Sequence, residues 1–241
     1  MITALGKLAA FEAAIELTPG TRSYLESTAR LNPGPMAQAI FTLLGAKDAA
    51  ARRQAAQAVI AADPGGARGL EGVMRDTLVI TMINAGQKPN VIPGDAEAVM
   101  NARLLPGKTV DGFIAQVAAA IGDPRVEIEV VNARPKAEQA AFFARRSAIK
   151  PSRLDTALYG ALEDAAAATW PGITVMPTLM VASTDATPWR ERGVPVYGVG
   201  PAPADADTAS RIHGDDERVG VDQVRQGAEF AYRILRKVTA P

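Results

Sequence analysis

One histidine stands in 241 residues, and acids surround it: Arg211-Ile212-His213-Gly214-Asp215-Asp216-Glu217-Arg218. An imidazole titrates nearest neutral pH of all side chains and is a frequent metal ligand, so this stretch could hold a cation or shuttle a proton. A surface histidine in a solvated acidic loop accounts for the same pattern. His213 and Glu217 are four apart, which is neighbour spacing on a helix. Gly214, and helix signals that begin only near Val221, place the stretch in a loop instead.

Three other polar positions stand out against the apolar pattern. Asn90 lies just before Pro93, where an amide can bond a neighbouring backbone group in a turn or reach a ligand. Arg103 falls in an otherwise apolar strand, so its guanidinium is either an edge-strand charge or an anchor for an anion. Ser183-Thr184-Asp185 follows an apolar run and precedes a short helix; capping is its ordinary role, and its hydroxyls and free N–H groups could also hold a carboxylate. Arg190, one helical turn beyond Pro188, could add a bidentate contact or simply be solvated.

Several chemistries are excluded. No G-x-S-x-G elbow is present, and Gly198-Val199-Gly200 runs into Pro201 rather than a helix start, so neither a serine hydrolase nor a phosphate loop is supported. The chain has no cysteine, which removes disulfides, thiolate zinc sites and cysteine nucleophiles. Any metal must therefore be held by His213 and carboxylates. Basic and acidic residues number 26 each, so no net field favours nucleic acid or an anionic membrane. No run approaches the roughly 20 apolar residues that cross a bilayer. The opening residues lack the basic start of a signal peptide.

The elements that must position these residues follow from periodicity. Residues 3–17 carry one apolar stripe at helical spacing, closed by Pro19-Gly20. Alanine-rich residues 22–63 predict two or three short helices, a helical insertion ended by Asp63-Pro64-Gly65-Gly66. Alternation predicts a strand over 75–85, a turn through Asn90 and Pro93, and a second strand over 97–105 closed by Pro106-Gly107. Residues 111–121 form a helix, and Val126, Ile128 and Val130 alternate as a half-exposed strand. Residues 132–151 read as the crossing between domains. Ser152 is expected to cap a helix that runs to Trp170, strands follow over 173–176 and 194–199, and 221–237 is a closing amphipathic helix. The expected fold is mixed α and β: an α+β domain over 1–131 with an antiparallel sheet and a helical insertion near 20–70, then an α/β portion over 132–241.

The order of motifs resembles the two-zinc metallopeptidases that include carboxypeptidase S, aminoacylase and succinyl-diaminopimelate desuccinylase. The resemblance rests on Arg75-Asp76-Thr77, on Gly86-Gln87-Lys88-Pro89-Asn90-Val91-Ile92-Pro93, and on Asn101-Ala102-Arg103-Leu104-Leu105-Pro106-Gly107. It continues through Thr184-Asp185-Ala186 with Arg190, Val196-Tyr197-Gly198 with Pro201, and His213-Gly214-Asp215-Asp216-Glu217-Arg218. The helical insertion before Arg75 is most similar to the carboxypeptidase S branch.

The resemblance implies a lid or dimerisation domain joined to the end of a zinc-binding α/β domain, and a homodimer formed through the lid. It implies that His213 is the last metal ligand, that Asn90 and Arg103 bind the substrate carboxylate or oxyanion, and that Thr184 and Arg190 line the pocket. Ala182-Ser183 stands where many members have glycines. The implied substrate is a small peptide or an N-acyl amino acid, and the implied cofactor is zinc, two ions in the complete enzyme, with other divalent metals as alternatives. The family's remaining ligands and its general base would lie before Met1, so the expectation is a carboxyl-terminal part without catalytic residues of its own, inactive alone. Any targeting segment would also lie there, which leaves the compartment unassigned. The alternative is a non-catalytic dimerisation or binding module.

Overall fold

The computed structural model describes residues 1–63, 67–180, 184–200, 203 and 206–240. Two compact units emerge: Met1–Lys150 with Pro177–Thr184, and Pro151–Met176 with Asp185–Pro241. Each is built around its own apolar clusters.

In the first unit, α1 (Ile2–Ala9) is shorter than its apolar stripe suggested. Residues beyond it run without regular structure to Thr18, whose hydroxyl accepts the Thr21 N–H at 3.1 Å and starts α2 (Pro19–Leu31). Pro19 therefore opens a helix rather than ending one: its ring presets the helical φ at a position where its missing N–H has no partner to lose. Then come α3 (Pro35–Gly45), α4 (Ala49–Ala62), whose cap Asp48 accepts the Ala51 N–H at 2.8 Å, and α5 (Ala67–Met74). Pro64, Gly65 and Gly66, the expected break, lie outside the described residues.

These helices make the expected insertion self-sufficient. Leu25, Ile40, Leu43, Val59 and Met74 have no exposed surface, and Ala29, Ala37, Ala55 and Ala56 pack among them. Short alanine side chains permit close helix approach while the leucines and isoleucine fill the space between, so the alanine-rich composition is a packing device. Buried Thr21 donates to the Val73 carbonyl at 2.8 Å, and the Glu16 N–H donates to the Met74 carbonyl at 2.7 Å. The chain that enters the insertion is thus tied to the chain that leaves it.

The strands β1 (Thr77–Ala85) and β2 (Ala96–Arg103) pair antiparallel from Thr77↔Arg103 to Ala85↔Ala96, with a bulge between Ile80 and Met82. Helix α6 (Val110–Ile121) follows. The cap residue Thr109 accepts the Gly112 N–H at 3.2 Å, and Gly122, at φ 59°, stops the helix in the left-handed conformation that glycine adopts without steric cost. A second cluster joins Ala4 and Leu8 of α1 to Phe113, Val117 and Ile121 of α6, with Leu78, Met100 and Leu104 of the hairpin region packed against it. Toward its loop the hairpin is bare: Met82 is 65% and Ile83 60% exposed.

Val126 and Ile128 also pack on this cluster, but residues 126–130 form no ladder. Alternation sorts side chains between two faces; a strand further needs a neighbouring edge in register, and the described sheet has two strands only. Helix α7 (Lys136–Ser147) buries none of its residues, and its Phe142 ring lies 4.3 Å from the Arg134 guanidinium.

In the second unit, α8 (Ala157–Thr169) is capped by Thr156, which accepts the Tyr159 N–H at 3.1 Å, and not by Ser152. The Ser152 hydroxyl instead donates to the Val196 carbonyl at 2.9 Å and accepts the Val196 N–H at 3.1 Å. One side chain thus satisfies both backbone groups of Val196, which explains how residues 194–199 stay placed without the expected strand ladder. Residues 173–176 likewise form none. Short helices α9 (Thr187–Arg190) and α10 (Ala206–Ser210) precede α11 (Val221–Thr239), which packs on α8. Leu162, Ala165, Ala166 and Phe230 form the core, and Trp170 donates its indole N–H to Gln226 at 2.8 Å. Among the described residues no helix is long and apolar enough to cross a membrane.

Candidate functional site

His213 lies in the turn after α10, exposed, with φ 63°; Asp216 follows at φ 56°. Both occupy the left-handed region where a Cβ normally crowds the backbone, so something must hold them. The Gly214 N–H donates to the Arg211 carbonyl at 2.8 Å, and a Cβ at Gly214 would stand 3.3 Å from that same oxygen. The turn is therefore tight enough to favour glycine beside the histidine.

Four charged side chains enclose this turn. Arg211 meets Asp207 and Asp216, each at 3.1 Å, while Arg218 meets Asp207 at 2.7 Å and Asp216 at 3.0 Å. Each guanidinium lies between two carboxylates and each carboxylate between two guanidiniums. Sequence reading singled out the histidine and missed this ring. One signal was legible: Asp207 and Arg211 have the four-residue spacing of a helical ion pair.

The ring decides whether the stretch can hold a metal by itself. Asp207 and Asp216 are taken by arginines, so His213 is left with Asp215 and Glu217 as nearby donors in sequence. Among the described residues no three His, Asp or Glu side chains are grouped so as to hold a metal ion. A catalytic zinc takes about three protein ligands and a water. The described residues therefore do not fit a complete zinc centre.

The hairpin carries two more expected site residues and keeps them apart. Asn90 is exposed in the turn where the Val91 N–H donates to the Lys88 carbonyl at 3.3 Å, beyond the Ala85↔Ala96 end of the ladder. Arg103 is exposed at the opposite end, paired with Thr77; it ends the strand and does not stand in its middle. At ~3.4 Å per residue the ladder separates the two by about 25 Å. Thr184 is exposed and Ser183 lies outside the described residues. The cap position of α9 is Ala186, which makes no side-chain capping bond, so the expected cap falls one residue after Asp185. Arg190 is half-buried at the end of α9.

Two buried charges that sequence reading treated only as a motif shape the approach to the hairpin. Arg75 is 8% and Asp76 6% exposed. The Arg75 guanidinium donates to Glu71 at 2.9 Å and meets Glu12 at 3.1 Å. Burial alone would lower its pKa, but the hydrogen bonds to Glu12 and Glu71 outweigh that and raise it. Burial raises the pKa of Asp76, against the opposing pull of the Leu105 N–H.

Residues 25–129 match the peptidase dimerisation domain family. The chain is 27% identical over 170 residues to probable carboxypeptidase S-like 2 of Dictyostelium discoideum, covering 69% of this chain and 30% of that protein. It is 26% identical over 163 residues to the N-fatty-acyl-amino acid synthase/hydrolase PM20D1.1 of Danio rerio, covering 68% and 30%. To the N-fatty-acyl-amino acid synthase/hydrolase PM20D1 of Mus musculus it is 27% identical over 165 residues, covering 68% and 31%. The chain thus spans about 30% of the length of the curated relatives it matches. No solved structure matches.

Proposed function

We propose that the chain, whose residues 25–129 match the peptidase dimerisation domain family, is part of a zinc-dependent amidohydrolase that cleaves a C-terminal amino acid or an N-acyl amino acid. The dimerisation-family match carries this reading, and relatives named as carboxypeptidase S-like proteins and N-fatty-acyl-amino acid hydrolases support the substrate class. Zinc is the proposed ion because imidazole nitrogen and carboxylate oxygen are among its usual donors in a chain without cysteine, and other divalent ions accept the same donors.

In this reading His213 contributes one metal ligand, and Asn90, Arg103, Thr184 and Arg190 contact substrate. Arg103 and Arg190 suit a carboxylate, which a guanidinium binds through two parallel N–H donors. Asn90 and Arg103 cannot grip the same small carboxylate within one copy, because the length of the hairpin lies between them. They serve different groups of the substrate or different copies of the dimer. In this reading the chain alone is expected to be inactive, because its one imidazole supplies one ligand where a catalytic zinc takes about three from the protein.

The same observation favours a second reading, a dimerisation or binding module without catalysis. Titrating the labelled chain with an N-acyl amino acid and zinc separates the two. Amidohydrolase ancestry of the site predicts shifts at Arg103, Arg190 or Asn90 with the ligand and at His213 with zinc, without turnover. No shift at any of them refutes the amidohydrolase reading and leaves the module; turnover refutes the claim that the chain is inactive alone.

A further inference from the structure

We infer that the closed ring of Asp207, Arg211, Asp216 and Arg218 is a positioning device that fixes the left-handed turn at His213 and so fixes where the imidazole points. The purpose of the device rests on the reading of His213 as a functional imidazole; its existence does not. Its members flank the histidine, two before and two after, so the ring ties the incoming and outgoing chain together. His213 and Asp216 belong to residue types that enter the left-handed region more readily than most, but the conformation still costs energy in any residue with a Cβ, and it persists where the surroundings over-determine it. Within the turn the Gly214 N–H donates to the Arg211 carbonyl.

The geometry also shows why arginine serves at both positions. Each cation must reach two separate carboxylates at once, Arg211 through Nε and Nη1 and Arg218 through its two Nη atoms. A guanidinium offers five donors in a planar fork, whereas an ammonium is a compact point charge. Single ion pairs at this exposure are individually weak, but in a cycle each member is held from two sides, so opening one pair leaves three to close it again. Asp207 and Asp216 are accordingly positioning residues, and their carboxylates are spent on the arginines.

The test uses the full isotope-labelled chain and reads the one-bond Cα–Hα couplings, which fall at positive φ, and the heteronuclear NOEs of residues 207–218. In the unsubstituted protein His213 and Asp216 are expected to give left-handed couplings with rigid NOEs. Arg218→Gln and Arg211→Gln are each expected to lose the left-handed signature at His213 and to lower the NOEs across the turn, and Arg218→Lys should not restore them. Raising salt to about 1 M, where the screening length falls to ~3 Å, should act in the same direction. Asp216→Asn separates local preference from the ring, since asparagine tolerates the left-handed region better than most residues. Loss of the His213 signature in that variant supports the ring.

A left-handed, rigid His213 in Arg218→Gln and Asp216→Asn overturns the proposal, as does an averaged coupling at His213 in the unsubstituted chain. Unchanged Trp170 and Phe230 ring resonances establish that the variants fold. Addition of zinc reports on the other question: His213 ring resonances that zinc leaves unmoved defeat the metal-ligand reading while the couplings still decide the ring.

Discussion

The Asp76 carboxylate accepts the backbone N–H of Leu105 at 2.7 Å, closing the hairpin just beyond its last ladder pair, Thr77 with Arg103. Residues that enter β1 and leave β2 are thereby joined by a buried charged group. This bond fixes the base from which Arg103 projects.

Asp76→Ala should therefore destabilise the protein by about 1–3 kcal/mol, since the Leu105 N–H would be buried without an acceptor. Asp76→Asn keeps an oxygen in place and should cost less. Urea unfolding midpoints of the three proteins check the order; equal midpoints would show that the bond contributes nothing.

The same carboxyl gives a pH signature. Burial holds its folded pKa above the ordinary 3.8, so the folded state binds the proton more tightly than the unfolded state. Its contribution to stability is complete below pH 3.8 and is lost as pH rises through the raised folded value. Across that window the unsubstituted protein should lose stability relative to Asp76→Asn, and parallel pH profiles would contradict the assignment.

Arg75 bridges Glu12 and Glu71 from a buried position, and an ammonium cannot reproduce its forked contacts. Arg75→Lys should cost about 1–3 kcal/mol, much of it from imperfectly satisfied buried charge. A double-mutant cycle with Glu12→Gln should yield a coupling of about 0.5–3 kcal/mol; additivity would show that the pair acts independently.

The helical insertion and the hairpin have separate cores, so damage to one should spare the other. Ile40→Ala, at a site with no exposed surface, should cost about 2–5 kcal/mol. Amide exchange in α2 to α5 should accelerate while α6 keeps its protection. Uniform acceleration would show one cooperative block.

If the first unit dimerises, the bare apolar end of the hairpin is the surface with most to gain. Ile83→Lys should shift sedimentation toward the monomer at micromolar concentrations, because a charge transferred into an apolar contact is costly. An unchanged distribution would place the contact elsewhere.

The sequence made legible what depends on near neighbours. Period-two alternation marks β1 and β2, and the three-to-four spacing of Phe113, Val117 and Ile121 marks α6 with its buried face. The resemblance read from the Asn90, Arg103 and His213 blocks agrees with the peptidase relatives. What depends on closure in space was not legible. Val126 and Ile128 alternate like a strand, yet side-chain burial alone satisfies them. Ser152 looks like a helix cap and is instead the clasp on Val196, 44 positions away. The arginine–aspartate ring was hidden because it needs His213 and Asp216 both left-handed, a conformation their types allow but their spacing does not specify.

The hairpin is supported unevenly: Leu78 and Met100 rest on the helical cluster, whereas Met82, Ile83, Asn84 and Ala85 overhang it in solvent. It is in effect a cantilever, and its rungs should fray from the free tip toward the root. Asn90 rides on the tip and Arg103 on the root, so amide exchange is expected to run faster around the first than around the second.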